Sequence, residues 1–467
     1  MSVRCAEENH HPLFNFPRMY DAYMACRRSK RNKPDALQFE RNYEENLITL
    51  VEELRERRYQ PSTSTLFYTD KPKLREIFAA DFRDRIVHHL IYNELAPRWE
   101  PVFIHHSYAC RPGKGTHAAA LALQKFLRQA TDNGKRPAHF LKLDMHNFFM
   151  TIDRRKLFDM LAQRCHDPDM LWLLQIVVFH DPTQNFELHD RENLRHRVPP
   201  HKSLFNTPPF CGLPIGNLTS QFFANIYLNT LDQFVKHELQ CRFYLRYVDD
   251  LGLIDSDLDK LLAWQNQVTA FVDDRLAIKI NARATRLGLV NGGIDFAGFI
   301  VRQDYLLVRR RVVGNLKVKL RQAERKLVRR TPQQLILRFH PETLETCLAT
   351  VNSYLGHFQH AQTRRLVRKL WQEFPFLRHF FSLSASSHKL VRRDQPLRRK
   401  RVLKAQVQWL QRRFDGCGFP RRSLRNVLAA LSKRRVPVMV TRQTGRERRQ
   451  TQERLPAALV EYPPAMP

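Results

Sequence analysis

The sequence predicts an α+β protein of several packed units, on three observations. At 467 residues the chain is too long for one small core. Two runs of β type, Phe140 to Asp144 and Phe243 to Ile254, are interleaved with helical patterns, as in a sheet domain flanked by helices. After the sheet, apolar residues recur at spacings of three and four, first at Val313, Leu316, Leu320, Ala323 and Leu327, then at Leu344, Leu348, Val351, Leu355 and Phe358. That is the signature of two amphipathic helices.

The elements follow in chain order. Residues 1–60 read as helical, with Leu47, Leu50, Val51 and Leu54 on one stripe. A Pro-Ser-Thr-Ser-Thr turn from Pro61 to Thr65 opens a small mixed unit over 61–135, holding the basic stretch from Lys71 and a helix-like run from Arg85 to Tyr92. The sheet domain spans 136–300, with a long connection at 181–209 rich in His, Arg and Pro. That connection is expected to be either an RNA- or partner-binding loop or a solvent-exposed insertion. The helices occupy 301–380. Residues 381–467 form a basic extension with a Pro-rich end expected to be disordered.

Composition narrows the partners. Lys and Arg outnumber Asp and Glu by 78 to 46, a net charge of +32, which calls for a polyanion. The last 87 residues hold 21 Lys and Arg against 5 Asp and Glu, half the total charge. With 43% hydrophobic residues and only 41 Gly plus Pro, most of the chain should fold. The longest apolar run, Leu171 to Phe179, falls well short of the ~20 residues needed to cross a bilayer, so no membrane association is expected. The N-terminus lacks the pattern of a secretory signal, which points to the cytoplasm. The eight cysteines fit neither a disulfide framework nor a zinc site.

The chemistry is carried by acids. Tyr247-Val248-Asp249-Asp250 interrupts two apolar runs, so it reads as a hairpin with acids at its tip. Alone, the pair is an ordinary Asp-rich turn. Asp144, however, ends a second apolar strand, and three carboxylates on adjacent strand ends can hold two Mg²⁺ ions, with Mn²⁺ as a substitute. Two such ions about 4 Å apart activate a hydroxyl and stabilise a leaving pyrophosphate, which is nucleotidyl transfer. Asp144 and Asp249 would share the metals, Asp250 would support the site, and Met145 would offer its carbonyl oxygen.

With Gly212-Leu-Pro-Ile-Gly-Asn-Leu-Thr-Ser-Gln221 ahead of it, Tyr-Val-Asp-Asp resembles the palm of reverse transcriptases. The likeness extends over roughly residues 60–300. It includes Lys73-Leu-Arg75, Asp84 to His88, Ser107 to Thr116, the Asp144 motif with its Phe-Phe, and Gly293-Ile-Asp-Phe-Ala-Gly-Phe299. The resemblance implies a right-hand polymerase with fingers over 61–135, palm over 136–300 and thumb over 301–380. Its partners would be template RNA, cDNA and deoxynucleoside triphosphates. It also implies roles. Arg75 would contact the triphosphate, with Arg111 and Lys114 as further candidates; Phe149 would be the steric gate against a 2′-hydroxyl, with Phe148 in the core; Ile215 and Gly216 would border the nascent pair. Gly293, Phe296 and Gly298 would form the primer grip. Lys317, Arg321, Arg325, Arg364, Arg365 and Arg368 would lie along a phosphate backbone.

Relatives commonly carry Gln where this chain has Ile215, which offers no hydrogen bond, so base discrimination should weaken. This resembles the reverse transcriptases of diversity-generating retroelements. Phage-defence reverse transcriptases, with untemplated or protein-primed synthesis, are the alternative, since they often carry terminal extensions. Such systems imply an accessory protein or a dedicated non-coding RNA. A catalytically silent nucleic-acid scaffold is a third reading, opposed by the intact acidic trio. Lys279 and Arg283 both stand near the position of a general acid for pyrophosphate.

Overall fold

The computed structural model describes residues 11–28, 33–69, 74–189, 194–331, 334–384, 386–393 and 438–442. Lys73 and most of the basic extension lie outside these. The chain divides into two compact units, meeting in sequence at Gly292 and Gly293.

The first unit opens with α1 (Phe16–Arg27), α2 (Pro34–Glu40) and α3 (Tyr43–Arg55). Strands β1 (Ser64–Thr69) and β2 (Arg75–Ala79) precede α4 (Phe82–Trp99) and α5 (Thr116–Ala130). Next come β3 (His139–Asp144), the short α6 (Phe148–Thr151), α7 (Arg154–Ala162), α8 (Pro168–Phe179) and β4 (Phe186–Leu188). After three 3₁₀ turns the unit ends with α9 (Leu218–Gln233), β5 (Phe243–Tyr247), β6 (Asp250–Asp255), α10 (Leu258–Leu276) and β7 (Arg286–Leu289).

Local chemistry starts these helices where they are needed. Asp153 caps α7 by accepting from the backbone N–H groups of Arg155 and Lys156, and Asp167 caps α8 in the same way ahead of Pro168 at its first position. The apolar run from Leu171 is α8, with Leu173, Leu174 and Val178 buried in the core. Among the described residues no helix is long and apolar enough to cross a membrane.

A four-stranded antiparallel sheet, in the order β5-β6-β3-β7, carries the acids. Alternation along β3 turns Leu141 and Leu143 into the core, leaving Lys142 and Asp144 on the other face. The N-terminal helices are part of this same core: Met19, Ala22 and Tyr23 of α1 and Leu47, Leu50 and Leu54 of α3 pack with Phe82, Ile86 and Leu90 of α4. Each Met, Leu, Ile and Phe among them contributes about 1.5–3 kcal/mol of burial. A second sheet, β2-β1-β4, pairs β1 with β2 antiparallel and with β4 in parallel. The 181–209 connection therefore supplies a strand and is no plain solvent-exposed insertion.

The second unit starts with β8 (Ile294–Phe296), β9 (Phe299–Val301), β10 (Leu306–Val308) and α11 (Arg310–Leu327). It continues through β11 (Val328–Arg330), β12 (Leu335–Phe339), α12 (Pro341–Phe358), α13 (Arg364–Glu373) and α14 (Leu377–Phe380), then β13 (Phe381–Leu383), β14 (Leu390–Arg392) and β15 (Val438–Arg442). The two predicted helices are α11 and α12, and their stripes face each other: Leu316, Leu320 and Leu327 share a core with Leu344, Val351, Leu355 and Phe358. The four further segments from α13 to β14 were not legible in the periodicity, because each is short and completed by its neighbours.

Candidate active site

The hairpin β5-β6 turns through Val248 and Asp249, and its register sets Tyr247 opposite Asp250. On its other edge β6 places Asp250 directly opposite Asp144 of β3. Asp144 thus meets Asp249 and Asp250, more than 100 residues further along the chain, at one end of the sheet. Val248 holds a φ of 54°, a left-handed conformation that a β-branched side chain disfavours.

What holds that turn is Arg246. Its guanidinium and Asp232 of α9 are both fully buried, with Nε donating to Oδ1 and Oδ2 at 2.9 and 3.0 Å and Nη2 donating to Oδ2 at 2.7 Å. Nη1 donates to the Val248 carbonyl at 3.0 Å and to Asn225 Oδ1 at 3.2 Å, and Nη2 to Ser107 Oγ at 3.0 Å. Tyr244 completes the set by donating its hydroxyl to Asp232 Oδ1 at 2.7 Å. Burial works against the Arg246 charge, but Asp232, Tyr244 and Asp249 more than offset it, so the guanidinium is held above its ordinary pKa. Outside the side chain, Arg246 exchanges backbone bonds with His106 and Tyr108, tying the loop after α4 to β5.

The carboxylates have different surroundings. Asp249 is partly buried, and its pKa is pushed up to about 6, first by desolvation and then by the charges of Asp250 and Asp144, with Arg75 pulling weakly the other way. Asp250 is ion-paired with Lys142 Nζ at 2.9 Å. Asp144 accepts from the side-chain amide of Asn281 at 3.0 Å on Oδ2, and its carbonyl accepts from the Asn281 backbone at 2.8 Å. Among the described residues no three His, Cys, Asp or Glu side chains form a closed ligand cage, the trio included. The donor set still fits a hard divalent cation: it is all oxygen, and Asp249 is a carboxylate raised by desolvation and then by like charges, which a cation would relieve. Met145, next to Asp144 in the chain, is buried and bridged in the backbone to Ile280.

The expected nucleotide-binding residues separate. Arg75 begins β2, exposed and within electrostatic reach of Asp249. Phe148 is buried in the main core as expected, while Phe149 is only partly buried and touches two cores. The Ile215 carbonyl accepts from the Phe78 backbone N–H at 2.9 Å, joining the motif to β2. Gly216, at φ 130°, makes that approach feasible: a Cβ there would lie 2.9 Å from the Phe78 oxygen and from Ile77 Cγ2.

Arg111 must be removed from the set. It is buried, and its guanidinium is taken up by the Glu100 carboxylate and by the carbonyls of Ile104 and Ser107, leaving nothing to offer a triphosphate. Lys114 donates to the His105 carbonyl at 3.0 Å and lies over the Tyr108 ring, so it too organises this loop. The Gly113 to Thr116 string is the turn leading into α5.

In the second unit, Gly293, Phe296 and Gly298 belong to the β8-β9 hairpin, whose turn residues Ala297 and Gly298 both have positive φ. Phe296 is buried and Phe299 stacks on His357 of α12 at 4.3 Å. Lys317 and Arg321 of α11 are drawn to Glu373 of α13, at 2.7 and 3.9 Å, so they are not simply presented to phosphate as expected. Arg325, Arg364, Arg365 and Arg368 are exposed.

Sequence reasoning missed Lys142, Asn281 and Arg246. Period-two alternation from Asp144 was a signal for Lys142. Nothing local marked Asn281, which sits between the two candidates for the general acid; Lys279 instead pairs with Asp273.

Residues 69–301 match the family model described as reverse transcriptase (RNA-dependent DNA polymerase). They are a reverse transcriptase domain. Similar proteins include the group II intron-encoded protein LtrA of Lactococcus lactis subsp. cremoris, 24% identical over 195 residues, which is 41% of this chain and 28% of that protein. An uncharacterised 91 kDa protein in the cob intron of Schizosaccharomyces pombe is 26% identical over 156 residues, 33% of this chain and 16% of that one. The matches thus span less than a third of either relative. Among solved structures, an apo telomerase from Candida tropicalis, truncated from its C-terminal domain, aligns with a TM-score of 0.38 at 12% identity over 53% of this chain and 55% of that one. The reverse transcriptase domain contains all three acids and every expected nucleotide contact.

Proposed function

We propose that the chain is an RNA-directed DNA polymerase, a right-hand enzyme that copies template RNA into cDNA from deoxynucleoside triphosphates. The observation that carries this reading is the β3-β6 register, which brings Asp144 and Asp250 opposite one another with Asp249 at the adjoining tip. Asp144 and Asp249, with Asp250 beside them and the Met145 carbonyl available, would hold Mg²⁺, which would supply activation of the attacking hydroxyl and stabilisation of the leaving pyrophosphate. The protein's share is placement. Arg246 holds the turn that presents Asp249, Asn281 orients Asp144, and Arg75 offers a planar, permanently charged group to the triphosphate. Phe149 would be the ring that excludes a 2′-hydroxyl.

Within that reading we infer a polymerase of reduced fidelity, of the diversity-generating retroelement type. The support is Ile215, an apolar side chain packed against the small core of Leu66, Phe78 and Leu204, with no donor or acceptor for a base pair. A phage-defence role is the second reading, favoured by the basic extension over 381–467, which the retroelement type does not explain.

The test is primer extension on an RNA template with Mg²⁺, in the wild type and in Asp249→Asn. Extension lost in the variant supports the assignment; unchanged extension removes it. Errors concentrated at template adenines would support the diversifying reading, and faithful or untemplated product the defence reading.

A further inference from the structure

The connection between α8 and α9 has no role in the site described so far, yet it is built into it. Its 3₁₀ turns, Arg195–Arg197, Pro200–Lys202 and Leu204–Asn206, cross the small sheet and end at the motif that holds Gly212 and Ile215. Val198 and Leu204 are buried there with Leu66, Tyr68, Phe78 and Met150 in a small core of their own. Against this core, and partly exposed, lie Phe149 and Ile215. The segment thus backs both side chains expected at the sugar and the base pair.

Two contacts fix its position. Glu76 of β2, only 3% exposed, accepts from Ser203 Oγ at 2.9 Å and from the Leu204 backbone N–H at 2.8 Å, and it adjoins Arg75. Leu204 then presses on the motif: a Cβ on Gly212 would lie 2.9 Å from Leu204 Cδ1. The next residue, Leu213, donates its N–H to the Phe149 carbonyl at 2.7 Å. Leu204 therefore reaches the backbone of Phe149 through Gly212 and Leu213. At the far side, the His201 ring stacks on His146, two residues beyond Asp144, at 5.7 Å.

We propose that residues 194–207 form the rear wall of the nucleotide pocket, and that Leu204 is the positioning residue that keeps the Phe149 ring rigid enough to reject a ribonucleotide. This rests on the polymerase reading and deepens it. A ring that rejects the 2′-hydroxyl by contact alone has no hydrogen bond to enforce the choice, so its discrimination depends on how firmly the ring is held. Short 3₁₀ turns add little rigidity of their own, which leaves the Glu76 latch and the Leu204 contact to set the position.

The experiment measures single-nucleotide kcat/KM for a deoxynucleotide and its ribonucleotide in the full chain. Leu204→Ala is expected to lower the deoxy-to-ribo ratio about tenfold, chiefly through a lower KM for the ribonucleotide, and Leu204→Met, which keeps the volume, to restore it. Leu161→Ala, an equal truncation in the main core, should lower the melting temperature and leave the ratio alone. A Leu204→Ala ratio equal to wild type, or an equal shift in Leu161→Ala, overturns the proposal. Should Leu204→Ala not fold, Ser203→Ala removes one latch bond and must lower the ratio in the same direction; an unchanged ratio there also overturns it. Incorporation that is absent, or that survives Asp249→Asn, defeats the polymerase reading itself, whereas Asp249-dependent incorporation with an unshifted ratio defeats only the wall.

Discussion

Asp232→Asn is the sharpest probe of how the acidic turn is held. The change keeps the shape of the side chain but removes the charge that Arg246 faces, in a pair where both partners are fully buried. Asp232 accepts three N–H contacts from Arg246 and the Tyr244 hydroxyl; the amide keeps one acceptor oxygen but loses the charge and turns an NH2 towards the guanidinium donors that Oδ2 had accepted. Breaking one side of a buried pair costs about 3–5 kcal/mol, against the roughly 5–15 kcal/mol of stability typical of a domain. In urea this corresponds to a fall of roughly 1–2 M in the unfolding midpoint. The double variant Asp232→Leu, Arg246→Met separates stability from positioning. Replacing both charges by apolar groups avoids leaving a lone buried charge, but it still deprives the Tyr244 hydroxyl, Asn225 Oδ1, Ser107 Oγ and the Val248 carbonyl of their partner, and with the last of these the strained turn that carries Asp249. Incorporation should then fall roughly a hundredfold under conditions where the double variant remains folded. A midpoint unmoved in Asp232→Asn, or a double variant that incorporates at the wild-type rate, would refute this reasoning.

Other outcomes follow from the same contacts. Gly216→Ala places a Cβ 2.9 Å from the Phe78 oxygen, which should cost about 1–3 kcal/mol and raise KM for deoxynucleotides by shifting β2 with its Arg75; a melting curve and steady-state kinetics check both. Lys142→Met frees Asp250 from its ion pair, so the Mg²⁺ concentration for half-maximal incorporation should fall roughly two- to fivefold, the equivalent of a partly exposed pair, and a rise would count against competition between ammonium and metal. Asp84 is almost fully buried and desolvation pushes its pKa up to about 6, despite the Ser62 N–H and Tyr59 hydroxyl it accepts. A carboxyl raised in the folded state favours folding while protonated, so this stability is present below about pH 4 and lost as pH rises towards 6. It amounts to at most about 3 kcal/mol, and Asp84→Asn should flatten the melting temperature over that window.

The acidic trio, its strands and the two later helices were legible because each is encoded locally. Alternation around Phe140 to Asp144 marks a strand, paired acids between apolar runs mark a turn, and recurrences at three and four mark α11 and α12. Ordered motifs around them sufficed to place the family resemblance. Other features depended on partners distant in sequence. Arg111 carries the same charge as Arg75, and only the tertiary fold shows that Glu100 and two carbonyls have consumed it. Lys317 and Arg321 looked like a free basic face until Glu373 was brought to them.

The sequence by itself determined which side chains carry charge, which strands end in acids, and where helices start, since capping, alternation and turn chemistry act within a few residues. The tertiary structure decided which charges stay available and which are spent on packing, and it gave the 181–209 connection a strand paired with β1 and a segment bonded to Glu76. Those outcomes depend on burial, and burial is set by the whole fold: Glu76 and Leu204, or Arg246 and Ser107, are more than 120 residues apart in the chain and in contact only once it has closed.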